Sequence, residues 1–212
     1  IENISIKDSY NRVLAENIKA KINIPSFNNS AMDGYAVNIK NLVKNNYVLK
    51  ERSVSLAGKP FYGTLKNNET VRVMTGAVIP SNADAVVMKE MVNINKKNIT
   101  FNKNIKKNQN IRFIGEDIKK NRVIFHKYSQ LTHSKVAILA SLGIEKVKVL
   151  KKPIISFFST GDELTSIGKK LKKGQIYDSN RYLLRGLLEK FPVTIKDAGV
   201  VADDENKIIN KF

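Results

Sequence analysis

The sequence predicts a multi-domain protein of mixed α/β and β class, β-rich in its middle and opening a parallel-sheet α/β domain further on. Three observations carry this. The 212 residues exceed a typical single domain. From about 33 to 103, apolar residues fall in short strand-like runs broken by turn chemistry. After Lys151-Lys152-Pro153, an apolar strand, a polar loop, a helix-period stripe and a second apolar strand follow in βαβ order.

Taken in order, residues 1–24 hold an amphipathic stretch, Tyr10 to Ala15, then alternating Ile18, Ala20, Ile22 and Ile24 of strand type. Pro25 to Ser30 is a loop by its turn chemistry, and Tyr35-Ala36-Val37 follows as a strand. Val71-Arg72-Val73-Met74 and Ala85-Val86-Val87-Met88 read as buried strands, and Val92-Asn93-Ile94 with Ile99-Thr100-Phe101 as a hairpin. A strand is expected near Val123-Ile124-Phe125. A helix is expected from about 134 to 142, with Val136, Leu139 and Ala140 inward and Gly143 ending it; Val147-Lys148-Val149 is the next strand. The βαβ part reads as strand Ile154 to Phe158, a helix from about 180 to 190 and strand Val193-Thr194-Ile195. Asp178 or Ser179 caps that helix, and Leu183, Leu184, Leu187, Leu188 and Phe191 form its apolar stripe.

Composition removes several kinds of chemistry. There is no cysteine, so disulfides, zinc–thiolate sites and cysteine nucleophiles are excluded. Two histidines, His126 and His133, are too few for a His-based metal triad. No apolar run approaches the ~18 residues that span a bilayer, and the sequence reads as a soluble, cytoplasmic protein without membrane partners. The net charge of +18 points toward a polyanion, but 30 Lys against 7 Arg, spread along the chain, is poor in the forked side chain that reads bases and phosphates. The excess Lys is read as surface decoration, and a nucleic-acid partner is not expected.

Neither a Gly-x-Gly-x-x-Gly fingerprint nor a P-loop is present. What remains is a set of polar loops at strand ends. Ser30-Ala31-Met32-Asp33-Gly34-Tyr35-Ala36 contains an Asp-Gly step, a frequent turn. Met74-Thr75-Gly76-Ala77 offers a hydroxyl and backbone N–H groups to an anion. Gly115-Glu116-Asp117 reads by itself as a solvated acidic turn. Ser159-Thr160-Gly161-Asp162-Glu163-Leu164 sits past the carboxyl end of an apolar strand, where open α/β sheets place ligands. Adjacent carboxylates there require solvent, a metal or a partner. Gly174 to Asn180 leads into a helix N-terminus, and Asp203-Asp204 follows the next strand with one more Asp than capping needs. Carboxylates gathered at strand ends in a Lys-rich chain suggest a hard cation such as Mg²⁺, which needs neither Cys nor His.

These motifs, in this order, resemble the molybdopterin molybdenumtransferase family, MoeA and the gephyrin E domain. The resemblance runs from Pro25-Ser26-Phe27 and Ser30 to Val37, through Val71 to Ala77, Pro80, Ala83 to Val87 and Glu90. It continues in Arg112 with Gly115-Glu116-Asp117, Ala140 to Gly143, Ser159 to Leu164 and Gly174 to Asn180. It implies an enzyme that inserts molybdate into adenylylated molybdopterin with loss of AMP, assisted by Mg²⁺ or a similar divalent cation. Carried over by position, Asp33, Thr75, Asp117, Glu163 and Asp203 are its catalytic residues, with Glu163 and Asp203 as metal ligands. Substrate contacts fall to Gly76, Arg112, Thr160, Gly161, Asp162, Ser179 and Asn180, with N–H groups beside Thr75 holding an oxyanion.

The resemblance also implies a first domain in two halves, 1–32 and 104–151, an inserted β-rich domain, 33–103, and a molybdopterin-binding α/β domain from 152 to 212. A homodimer and a contact with the molybdopterin adenylyltransferase are implied partners. The chain opens on Ile1 and stops inside a helical pattern, so it reads as the N-terminal half of a longer enzyme, inactive alone. Family glycines are replaced by Asn68 and Asn121, and Tyr128-Ser129 and Pro192 also stand where glycine is expected. Two other readings stay open: a scaffold or binding module of the same fold, and a basic nucleic-acid-binding protein.

Overall fold

The strand signals between 33 and 103 assemble into one six-stranded sheet. Its order is Ala85–Met88, Gly34–Val37, Glu69–Val73, Val48–Ser55, Asn98–Phe101 and Val92–Asn95. Every neighbouring pair is antiparallel except Val48–Ser55 with Glu69–Val73, which is parallel. Because side chains alternate between faces, Gly34–Val37 feeds two cores at once. Tyr35 and Val37 pack with Leu42, Leu49, Val87, Ile99 and Phe101, while Ala36 packs with Leu65, Val71, Val73 and Val86. The Asp33-Gly34 step is no ordinary turn: a Cβ on Gly34 would stand 2.1 Å from the Val87 carbonyl oxygen across the antiparallel pair.

The computed structural model describes residues 1–211 and falls into two compact units, Lys19–Ile124 and Ile1–Ile18 with the chain from Phe125 onward. The sheet lies in the first of these. There the alternating residues 18–24 do not make one strand. Strand structure stops at Lys19; beyond it the Ala20 N–H donates to the Arg122 carbonyl, and Ile24 and Ile118 exchange both backbone bonds in an isolated antiparallel bridge, leaving Ile22 exposed. Asn121 takes φ +69°, as a glycine substitute should, whereas Asn68 has no positive φ.

In the other unit, Glu2–Ser5 pairs antiparallel with Lys146–Val149. In the amphipathic stretch of residues 10–15, a turn through Tyr10 and Asn11, φ +61°, leads to two isolated bridges, Val13 with Gln130 and Leu14 with Val149. Helix His133–Ser141 is capped by the Thr132 hydroxyl and ends at Gly143, φ +69°. Val136 and Leu139 are buried, but Ala140, one position and ~100° round from Leu139, is exposed. Tyr128 holds φ +70° at a position where glycine is expected.

Ile154–Thr160 and Thr194–Val201 pair in parallel, joined through helix Asn180–Leu188, and make the βαβ region. The expected apolar stripe of that helix is not buried: Leu183, Leu184, Leu187 and Phe191 are exposed, Leu183 at 65% and Phe191 at 62%. Two strands offer too little surface to cover it. The fold is therefore mixed α/β, with a β-rich sheet domain and a separate parallel-sheet region. No helix among the described residues is long and apolar enough to cross a membrane.

Candidate functional site

Asp33 ends the loop before Gly34–Val37, and Thr75 follows Glu69–Val73, the next strand in the sheet. Antiparallel pairing of Gly34 with Val73 brings the two loops together. The Thr75 backbone N–H and hydroxyl both donate to one Asp33 oxygen, at 2.8 and 2.9 Å. Those two bonds, the N–H first, hold the Asp33 carboxyl below the usual carboxylate range. The amides expected to hold an oxyanion are thereby engaged: Thr75 N–H bonds Asp33, Gly76 N–H donates to the Ser30 carbonyl and Ala77 N–H to that of Met74.

Arg112 lies on strand Ile111–Arg112, which pairs with Asn29–Ser30 in the same unit. Its guanidinium donates to Glu116 at 2.7 Å and to both oxygens of Asp117 at 2.8 and 2.7 Å. The Phe113 N–H bonds the other Glu116 oxygen at 2.8 Å. Arg112, then that amide, keeps Glu116 below its ordinary range, and the two carboxylates hold the guanidinium charged. The acidic turn is thus an arginine-braced fork. Gly115 makes it possible, with φ +74° and its N–H on the Pro25 carbonyl.

In the parallel-sheet unit, the loop after Ile154–Thr160 turns through Gly161, where a Cβ would fall 2.7 Å from a Glu163 oxygen. The Asp203 N–H donates to Asp162 at 3.2 Å, tying the two carboxyl-edge loops together. Asp204, not Asp203, caps the following helix by accepting from the Lys207 N–H at 2.9 Å. The Glu163 and Asp203 carboxylates are exposed and have no ion pair among the described residues. No group of three or more His, Cys, Asp or Glu among those residues is arranged to hold a metal by itself.

Two clefts flank Leu164 in this unit. One, of about 260 Å³, is lined by Thr160, Tyr177, Asp178, Ser179 and Asn180 among others. The other, of about 450 Å³, is lined by Gly161, Asp162, Thr165, Val200 and Ala202 with Lys169, Lys170 and Lys172. Ser179 makes no capping bond; the 2%-exposed Asp178 does, accepting from the Arg181 N–H at 3.2 Å. Asp178 also meets Arg181 Nε as an ion pair at 3.1 Å, off the line of a good hydrogen bond, and Arg181 reaches Asp197 at 3.1 Å.

Residues 1–143 match the family model described as "MoeA N-terminal region (domain I and II)", and residues 156–212 the one described as "Probable molybdopterin binding domain". The chain belongs to the MoeA family. A molybdopterin molybdenumtransferase of Haemophilus influenzae is 44% identical over all 212 residues, which cover 52% of that protein. One from Staphylococcus epidermidis is 34% identical over 98% of the chain and 50% of its own length. A crystal structure of the molybdopterin biosynthesis MoeA protein from Pyrococcus horikoshii superposes with a TM-score of 0.89 at 34% identity, over 99% of this chain and 57% of that one. The chain thus spans about half the length of the curated relatives it matches.

In this MoeA-family chain the structure joins Asp33 to Thr75, Arg112 to Asp117, Asp162 to Asp203, and Thr160 to Ser179 and Asn180 in one cleft. Sequence reasoning missed the Arg181 bridge and the lysines of residues 169–173. The first has no local signal, since Asp178 and Asp197 flank it at unequal distances along the chain. The second is legible as a Lys-Lys-Leu-Lys-Lys run between two loop motifs, but it is hard to tell from the general Lys excess.

Proposed function

We propose that this chain takes part in inserting molybdate into adenylylated molybdopterin, with release of AMP and formation of molybdenum cofactor. The observation that carries the reading is the pair of unpaired carboxylates, Glu163 and Asp203, at the carboxyl edge of parallel strands, in the segment similar to a molybdopterin-binding domain. That donor set suits Mg²⁺ or a similar cation, which takes one or two carboxylates and completes its shell with phosphate oxygens and water. Glu163 and Asp203 would hold it, and it would neutralise phosphate charge as the adenylate leaves.

The remaining roles follow the same reading. Thr160, Gly161, Asp162, Ser179 and Asn180 line the clefts that take substrate. Thr75 holds the Asp33 carboxyl in place and below the usual carboxylate range, and Arg112 fixes the orientation of Asp117. Gly76, at φ +79° with open space where a side chain would stand, leaves room for substrate to approach the backbone beside Thr75. On this reading 33–103 is a domain inserted between 1–32 and 104–151, and 152–212 is the pterin-binding domain. The protein acts as a cytoplasmic homodimer supplied by the molybdopterin adenylyltransferase.

The test is molybdate-dependent AMP release from adenylylated molybdopterin. It is measured for the chain and for a chimera in which the chain replaces the matched half of the Haemophilus relative. Glu163→Gln and Asp203→Asn should each cut release at least about tenfold with the fold intact. Wild-type rates in both variants would remove these residues from the site.

A further inference from the structure

We infer that the lysines of residues 169–173 form a recognition element for a phosphate-bearing ligand in the 450 Å³ cleft, deepening the reading above by assigning the end of the substrate that binds there. Lys169, Lys170 and Lys172 line this cleft, and Asp162 is the one carboxylate among its lining residues. One oxygen of Asp162 is taken by the Asp203 N–H. None of the three ammonium groups has an ion pair or hydrogen bond among the described residues. Three like charges on one wall repel each other unless an anion sits between them.

The loop that carries them is built rather than loose. Two hydrogen-bonded turns bracket it: Lys169 N–H donates to the Ser166 carbonyl at 3.3 Å, and Gln175 N–H to that of Lys172 at 3.0 Å. Each turn holds a positive-φ glycine, Gly168 at +87° and Gly174 at +85°. The Gln175 side chain accepts from the Lys172 N–H at 3.0 Å, and the Tyr177 hydroxyl donates to the Lys169 carbonyl at 2.9 Å. The backbone is thus held while the flexible ammonium ends remain free to gather around phosphate oxygens. Val200 and Ala202 give the same cleft an apolar side for the body of the ligand.

The experiment titrates the full chain with inorganic pyrophosphate by calorimetry, at low and at physiological salt. Lys169→Gln/Lys170→Gln/Lys172→Gln is compared with Lys103→Gln/Lys106→Gln/Lys107→Gln, which removes the same charge from the other unit. The inference requires saturable wild-type binding that weakens with salt, a loss of about tenfold or more in the first variant, and less than about twofold in the second. Circular dichroism must show both variants folded, and the Lys→Arg version of the first must retain binding. Equal losses in both variants, no saturable pyrophosphate binding, or lysine-dependent binding of molybdate in its place would overturn it. Pyrophosphate binding without molybdate-dependent AMP release sinks the proposed function alone. AMP release with no lysine-dependent pyrophosphate binding sinks this inference alone.

Discussion

Gly34 lies so close to the Val87 carbonyl oxygen that a single methyl group would overlap it at 2.1 Å. Gly34–Val37 is a central strand with every residue buried, so the neighbour has no room to retreat. Gly34→Ala should therefore destabilise the sheet by about 3 kcal/mol. Gly186 is the opposite case, a helical glycine on which an added methyl group would meet nothing within 4 Å. Gly186→Ala should stabilise by about 0.5–1 kcal/mol. Urea denaturation of the two variants should move in opposite directions.

Stability should fall on the acid side, with Asp33, Glu69 and Glu116 contributing in one unit and Glu2 in the other. The Asp33 and Glu116 carboxyls are held below their ordinary range in the fold, by Thr75 and Arg112 first of all. Stabilisation from a depressed carboxyl is fully present above its unfolded value, about 4, and is lost as pH falls through the lower folded value. Melting temperature should hold from pH 7 to about 5 and then drop below about 4. Asp33→Asn should flatten that drop more than Asp8→Asn does. Equal acid profiles for the two variants would show that the Thr75 bonds do not couple to folding.

Asn121 sits at φ +69° in a turn where its N–H donates to the Ala20 carbonyl at 2.8 Å. A Cβ without a polar end is strained there by about 1–2 kcal/mol, and Asn relieves part of it. Asn121→Ala should lower stability by about 1 kcal/mol, while Asn121→Gly should stay within about 0.5 kcal/mol of wild type. Thermal melts of the two variants decide it.

Removing Asp178 should cost more than a surface ion pair. Its side chain is 2% exposed and that of Arg181 only 11%, so Asp178→Ala strands a buried cation with Asp197 as its remaining partner. The expected loss is about 3 kcal/mol, and Asp178→Leu with Arg181→Met should recover most of it. Hydrogen exchange should quicken first at the start of helix Asn180–Leu188, before the six-stranded sheet responds.

The sequence by itself determined the class of the fold, the βαβ order, most strand positions and the loops that carry polar chemistry. Those are local properties: a period of two, a run of turn residues or a glycine after a helix is written within a few neighbours. It did not disclose Val48–Ser55, as long as any strand among the described residues, because Lys50-Glu51-Arg52 interrupts its middle and its apolar Val48 and Val54 face solvent. Ser55 is buried in that strand instead, satisfied by donating to the Val78 carbonyl at 2.7 Å and accepting from the Phe61 N–H at 3.1 Å. Tertiary structure alone decided that Thr75 closes on Asp33, that Asp203 meets Asp162, and that three lysines wall one cleft. Each of the first two pairings joins residues about forty positions apart, so the partner is set by strand register and loop length rather than by composition. The leucines of helix Asn180–Leu188 show the same division: their spacing is written in the chain, but whether the stripe is covered depends on how much sheet stands against it.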